Sequence, residues 1–221
     1  MLYIVSTPIG NLKDITFRAV ETLKSVDLIA AEDTRHTKIL LDHYGIHKPL
    51  ISFFEHNQSK KTDDLIGLLR EGKNIALVSD AGTPGISDPG YPLMEAAQKQ
   101  GIAITVVPGV TALIAALTAS GLPAHRFIFE GFLPVKSGPR RRKIESWKPE
   151  AGSAIIFYES PHRLLKTLKD IDEVLDNPVM VCARELTKKF EEVRKAPTQD
   201  LLQHFTRHAP KGEFVLLLKS Q

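Results

Sequence analysis

From residue 2 to residue 120 the chain alternates short apolar runs with segments whose apolar side chains recur every three to four positions, and most of the apolar runs end in turns of small residues. A strand, a helix and a second strand laid beside the first build a parallel sheet covered by helices. Strands are predicted over 2–6, 27–31, 50–52, 74–79 and 102–107, and helices over 15–25, 34–44, 61–70, 89–100 and 111–120. In the first helix Ala19, Val20 and Leu23 carry the helical spacing.

Gly121-Leu-Pro123 breaks that rhythm and predicts a boundary between a domain 1–121 and a domain 122–221. The second part holds an apolar stretch at 127–131, a basic polar stretch, a strand at 153–158 and a helix at 161–175. In that helix Leu164, Leu165, Leu168, Ile171 and Leu175 share one face. Strands at 179–183, 191–195 and 213–219 and a short helix near 200–205 complete it. An antiparallel pairing of 191–195 with its neighbour makes this smaller sheet mixed. The expected fold class is therefore α/β in two domains, with a mostly parallel N-terminal sheet and a smaller mixed C-terminal sheet.

Composition narrows the function classes. Apolar residues make up 43% and charged residues 25% of the 221, an ordinary globular balance. The apolar runs, such as 214–218, fall far short of the roughly 20 residues of a membrane span, and no basic-then-apolar leader opens the chain, so a cytoplasmic location and no membrane partner are expected. The one cysteine, Cys182, lies in an apolar run and reads as strand core. With no Cys pair and no His-x-x-x-His, no metal is expected. A formal net charge of +3 is too small to mark a nucleic-acid binder by bulk charge, so local clusters must carry any such role.

Three turns follow predicted strands. Ser6-Thr-Pro-Ile-Gly-Asn-Leu12 contains Pro8, which stiffens it, and Gly10, which permits close backbone approach. Its spacing is neither a dinucleotide fingerprint nor a Walker A loop. The run 80–90 is more specific, with three glycines, two prolines and two aspartates and no bulky side chain except Ile86. Asp88 is expected to cap a helix starting at Pro89, which leaves Asp80, Ala81, Gly82, Thr83 and Ser87 for a ligand. Pro108-Gly-Val-Thr-Ala112 again precedes a helix, with Thr111 as its expected cap. Ligands of open α/β sheets bind outside the carboxyl ends of strands, so three such turns can converge on one site.

These turns, together with Ala31-Glu-Asp-Thr-Arg35, Glu130-Gly-Phe-Leu-Pro134, Phe157-Tyr-Glu-Ser-Pro-His-Arg163, Ala183-Arg-Glu-Leu-Thr-Lys188 and Lys211-Gly-Glu-Phe214, resemble the tetrapyrrole methylase-like (class III) S-adenosylmethionine-dependent methyltransferases. The likeness is to the branch acting on small-subunit ribosomal RNA. It implies a two-domain tetrapyrrole methylase-like fold with S-adenosyl-L-methionine in a cleft between the domains, a homodimer, and transfer of methyl to the ribose 2′-hydroxyl of a cytidine in the decoding region. By the same resemblance Pro8, residues 80–83, Val110, Thr111, Ala112, Phe157, Tyr158 and Ala183 fall on cofactor-contacting stretches. The chain departs from the pattern at Val110-Thr111, where Pro-Ser is usual, and at Gly85, where a larger apolar residue is common. Many relatives continue past the position of Gln221 into a helical segment.

A ribose hydroxyl is a weak acid, so a base or charge stabiliser beside it is useful. Glu32, Asp33 and Arg35, just after the predicted strand 27–31, are the catalytic candidates; the alternative is a helix cap at Asp33 or Thr34 with Arg35 in a surface ion pair. Glu55 and His56 are candidates for base or ribose contact, the alternative being loop polarity. Glu159, His162 and Arg163 are expected to face the substrate, with Ser160 capping a helix at Pro161. Lys136, Arg140, Arg141, Arg142 and Lys143 form the one concentrated basic patch, with Gly138-Pro139 adding adaptability; it reads as an RNA phosphate contact or as a solvated helix start. Two further functions stay open: C-methylation of a porphyrin precursor, and a non-catalytic module binding RNA or an adenosine ligand.

Overall fold

The computed structural model describes residues 1–148, 150 and 152–220. The contacts divide the chain into two compact units, Met1–Thr111 and Ala112–Gln221. The division falls before the break at Gly121, because the apolar helix at Ala112–Ser120 packs on strands of the second sheet.

The first unit is a five-stranded parallel sheet. Its strands are β1 (Leu2–Val5), β2 (Leu28–Ala31), β3 (Leu50–Ser52), β4 (Ile75–Val78) and β5 (Ile104–Val107), in the order β3-β2-β4-β1-β5. Its helices are α1 (Phe17–Ser25), α2 (Thr34–His43), α3 (Gln58–Arg70) and α4 (Tyr91–Lys99). Alternation along β1 sends Leu2 and Ile4 into one core with Leu65, Leu69 and Leu93, and Val5 into the other with Ala19, Leu23 and Leu41. A sheet buried on both faces needs apolar side chains at successive positions, hence the uniformly buried β4.

Three helix starts in this unit differ from expectation by two or more residues, and α3 begins at Gln58 rather than 61. α1 is preceded by a short 3₁₀ turn at Leu12–Asp14, and the side chain of Thr16 caps it by accepting from Ala19 N at 3.1 Å. α4 begins at Tyr91 rather than Pro89, and its cap position falls on Gly90, at φ +146° and without a side chain, rather than on Asp88.

The second unit comprises α5 (Ala112–Ser120), β6 (Phe127–Phe132), α6 (Ser137–Glu145), β7 (Ala154–Glu159), α7 (Leu164–Leu175), β8 (Val179–Arg184), β9 (Glu192–Pro197), α8 (Thr198–Arg207) and β10 (Phe214–Lys219). Its sheet runs β6-β7-β10-β8-β9, with β6 parallel to β7 and the other pairings antiparallel, so it is mixed. Ile155, Phe157, Cys182, Leu216 and Leu218 face a core completed by Leu164, Leu168 and Ile171 of α7 and Leu201 and Phe205 of α8.

The basic stretch is not an adaptable coil but α6, which contacts α7, and Gly138 and Pro139 lie in its first turn, where proline costs no hydrogen bond. α7 starts at Leu164, not Pro161. The N–H groups of Arg163 and Leu164 donate to Ser160 O in a preceding turn, so Ser160 acts through its carbonyl rather than as a side-chain cap. No helix among the described residues is long and apolar enough to cross a membrane.

Candidate functional site

Parallel strands place all their carboxyl ends on one edge of the first sheet, and the strand order sets the turns after β2, β4, β1 and β5 side by side. Thr7 N donates to Gly82 O at 2.8 Å and Gly82 N to Thr7 O at 3.0 Å, a two-bond bridge between the turns after β1 and β4. Thr7 Oγ1 donates to Ser79 O at 3.1 Å. Gly82 sits at φ +79°, a conformation a side chain would strain.

Three hydroxyls then run across the edge. Ser6 Oγ lies 2.9 Å from Thr83 Oγ1, which lies 2.9 Å from Thr111 Oγ1, so one hydrogen-bonded chain joins the turns after β1, β4 and β5. Thr111 is thus the last hydroxyl of this hydrogen-bonded chain. Gly109 makes this possible, because a Cβ there would stand 2.8 Å from Ser6 Cβ. Small residues keep this edge uncrowded, and these bonds hold its hydroxyl and backbone donors and acceptors in fixed positions.

The turn after β2 supplies the carboxylates. Asp80 N donates to Glu32 Oε2 at 3.2 Å and Asp33 N donates to Asp80 Oδ1 at 3.0 Å, a reciprocal latch between neighbouring turns. Burial raises the Glu32 pKa above the ordinary carboxylate range, opposed by the hydrogen bond from Asp80 and reinforced by the Asp80 and Asp33 charges. Asp33 behaves differently. Its Oδ1 accepts from Arg35 N at 2.8 Å, capping α2, and its Oδ2 pairs with Arg35 at 2.7 Å. Hydrogen bonds from the Arg35 side chain and backbone hold its pKa well below the usual range. Asp33 and Arg35 thus realise the cap and surface pair, the Arg35 side chain being 90% exposed. Of the three catalytic candidates, Glu32 alone combines partial burial with a raised pKa.

Other candidates in the first unit lie around this centre. Pro8 is buried, Gly10 is exposed, Ala81 and Val110 are half-buried, and Ser87 is exposed with φ 66°. Glu55 and His56 are exposed in the turn after β3, the outermost strand on that side, where Asn57 Oδ1 accepts from Phe54 N. Ser6, Thr7 and Gly109 carry more of the geometry than Pro8 and Gly10. Their signal was available, since hydroxyl residues and a glycine stand directly at strand ends.

In the second unit the candidate side chains divide between the interior and the surface. Phe157 is 0% exposed and stacks on Trp147 at 5.6 Å between ring centroids, so its side chain belongs to the core. Ala183 is likewise 0% exposed inside β8, and Ala112 opens α5 half-buried. Tyr158 is half-buried and meets Phe129 and Phe132 edge to face. Glu159 is 2% exposed, accepts from Thr167 Oγ1 at 2.6 Å and Ser160 N at 2.8 Å, and pairs with Arg163 Nε at 3.2 Å. Its carboxylate is engaged inside the unit by these partners. Arg140 is 3% exposed, its guanidinium lying 2.6 Å from Asp170 and donating to Val135 O at 2.9 Å. With its donors engaged inside, it is not available to a phosphate.

Arg141 reaches Asp170 and Glu173, and Lys143 reaches Glu130 at 2.6 Å, each side chain remaining 40% exposed. Lys136, Arg142 and His162 are exposed. Cys182 is buried, as its apolar run implies. Among the described residues no group of three or more His, Cys, Asp and Glu side chains is arranged to hold a metal.

The model of the family described as Tetrapyrrole (Corrin/Porphyrin) Methylases matches residues 1–202. The chain is 52% identical over 219 residues to a protein of Synechocystis named ribosomal RNA small subunit methyltransferase I, covering 99% of this chain and 78% of that protein. It is 49% identical over 220 residues to one of the same name from Thermotoga maritima, covering 100% and 98%. In fold it is similar to uroporphyrin-III-C-methyltransferase from Thermus thermophilus, with a TM-score of 0.67, 22% identity and coverage of 99% and 94%.

Proposed function

Because the chain belongs to the tetrapyrrole (corrin/porphyrin) methylase family, we propose that it transfers a methyl group from S-adenosyl-L-methionine to small-subunit ribosomal RNA, at the ribose 2′-hydroxyl of a cytidine in the decoding region. The observation that carries the chemistry is the half-buried Glu32 carboxylate beside the three joined turns of the parallel sheet. The choice of acceptor rests on the relatives, two of which are named for that RNA.

The residues present suit the cofactor. Gly82 and Gly109 leave room where a Cβ would strain or collide, and Ser6, Thr83 and Thr111 line the edge with hydroxyls. When bound, S-adenosylmethionine supplies an electrophilic methyl group on a sulfonium. Residues 6–8, 80–83 and 108–111 would hold it. Glu32 then takes the hydroxyl proton on Oε1 while Oε2 stays anchored on Asp80 N, and its raised pKa makes it a stronger base than an ordinary carboxylate. Asp33 fixes the start of α2 and so the placement of Glu32 beside it. Lys136, Arg141, Arg142, Lys143 and His162 offer cationic or polar contacts to RNA phosphates, while Arg140, Arg163 and Glu159 support them from within.

The test supplies the purified protein with methyl-labelled S-adenosylmethionine and, separately, small ribosomal subunits, naked ribosomal RNA and uroporphyrinogen. Label recovered as 2′-O-methylcytidine from an RNA digest is the expected outcome. Label in the porphyrin alone would sink the assignment.

A further inference from the structure

The end of β6 is built unlike the rest of its sheet. Phe129 pairs with Ile156 and Phe132 with Tyr158, three steps along β6 against two along β7, so one extra residue is inserted around Glu130-Gly131, where Gly131 adopts φ 61°. The bulge reverses the alternation. Phe132 thereby joins Phe129 on the Tyr158 ring, at centroid distances of 5.7 and 5.0 Å, while Glu130 reaches Trp147 Nε1 at 2.9 Å and Lys143 Nζ at 2.6 Å.

The segment after it is stapled through its carbonyls. The Arg163 guanidinium donates to Leu133 O and Pro134 O, and Arg140 donates to Pro134 O and Val135 O. Arg140 is locked in turn by Asp170. With the carbonyls held inward and Leu133 buried as an anchor, Phe132 is left 55% exposed and Val135 74% exposed. Lys136 and Arg142 follow, exposed, and neither side chain has an ion-pair partner among the described residues. An exposed ring held against Tyr158 and followed in the chain by exposed cations without ion-pair partners among the described residues matches the chemistry of a single-stranded nucleic acid, whose bases stack on aromatic faces while its phosphates meet Lys and Arg.

We propose that Phe132 is a stacking platform for an unpaired base of the RNA, with Lys136 and Arg142 on the adjoining phosphates and Arg140 and Arg163 as the internal staples that hold the platform in place. This rests on the reading of RNA as the acceptor. Val135 extends the apolar surface at its edge.

The test compares the unsubstituted protein with Phe132→Leu, Phe132→Trp and Lys136→Ala in titrations with transcribed small-subunit ribosomal RNA, with S-adenosylmethionine binding and thermal unfolding measured alongside. Phe132→Leu keeps apolar bulk but removes the π-face, so it is expected to weaken RNA binding about tenfold and leave the salt dependence unchanged. Phe132→Trp is expected to restore binding to within about twofold. Lys136→Ala is expected to lower the slope of log affinity against log salt by about one. Cofactor affinity and unfolding should not move in any of them. Unchanged RNA affinity in Phe132→Leu overturns the platform. So does a change in that variant's sedimentation, which would make Phe132 a contact between copies of the chain. Absence of RNA binding by the unsubstituted protein strikes the acceptor assignment instead.

Discussion

Glu32 and Asp33 are adjacent acidic residues at the end of one strand, yet their environments drive their pKa values in opposite directions. Burial raises Glu32, while hydrogen bonds from Arg35 lower Asp33. A base works in its ionised form, so methyl transfer should rise with pH through the raised Glu32 pKa and level off above it. Glu32→Gln should lower kcat by about a hundredfold or more and abolish that limb of the profile. Stability carries a separate signature. The folded state holds the Glu32 proton more tightly than the unfolded chain does, so stability falls as pH rises from the ordinary carboxylate range to the raised value and is constant above it. Glu32→Gln should remove that slope without unfolding the protein, as equilibrium denaturation across pH can measure. A full-strength pH–rate profile in the variant would exclude Glu32 as the base.

At the scale of elements, α6 and α7 are joined by a nearly dry ion pair. Arg140 and Asp170 are 3% and 9% exposed at their side chains, and Asp170 also accepts from Ser137 Oγ at 2.9 Å. Removing one partner strands the other charge inside, which costs about 3 kcal/mol or more, whereas an exposed pair such as Lys38–Asp42 contributes less than about 1 kcal/mol. Arg140→Ala should therefore lower the denaturation midpoint strongly, while Arg142→Ala, on the same helix but exposed, should leave it within error. Equal effects of the two substitutions would contradict the burial difference. This element also marks where local patterning fails. A run of basic residues broken by Gly138 and Pro139 has no apolar period, and the acid that organises it stands about thirty positions later on another helix. The bulge in β6 is hidden for a related reason, since it exists only in the pairing with β7. By contrast α7 was legible because its apolar face is written at spacings of three and four, although its first turn was not.

For the molecule as a whole, the single cysteine is a built-in reporter. Cys182 is 1% exposed on the core face of β8, and burial pushes its thiol up to about 12. Thiolate is the reactive form, so Cys182 should resist alkylation in the native protein and react in denaturant at a rate that follows unfolding of the second sheet. Rapid labelling under native conditions would refute its place in that core.

The alternation of apolar periods and small-residue turns is local information, and it sufficed for the α/β class, the parallel first sheet, the mixed second sheet and the location of the small-residue turns at strand ends. Periodicity cannot encode which residues meet across the fold. The Ser6–Thr83–Thr111 hydroxyl chain, the Glu32–Asp80 latch, the attachment of α5 to the second sheet and the withdrawal of Arg140, Phe157 and Glu159 into the interior each depend on strand order and packing between distant segments. Desolvation and hydrogen bonding act through those distant neighbours, so the chemical character of a side chain at this edge is settled by what the fold brings beside it.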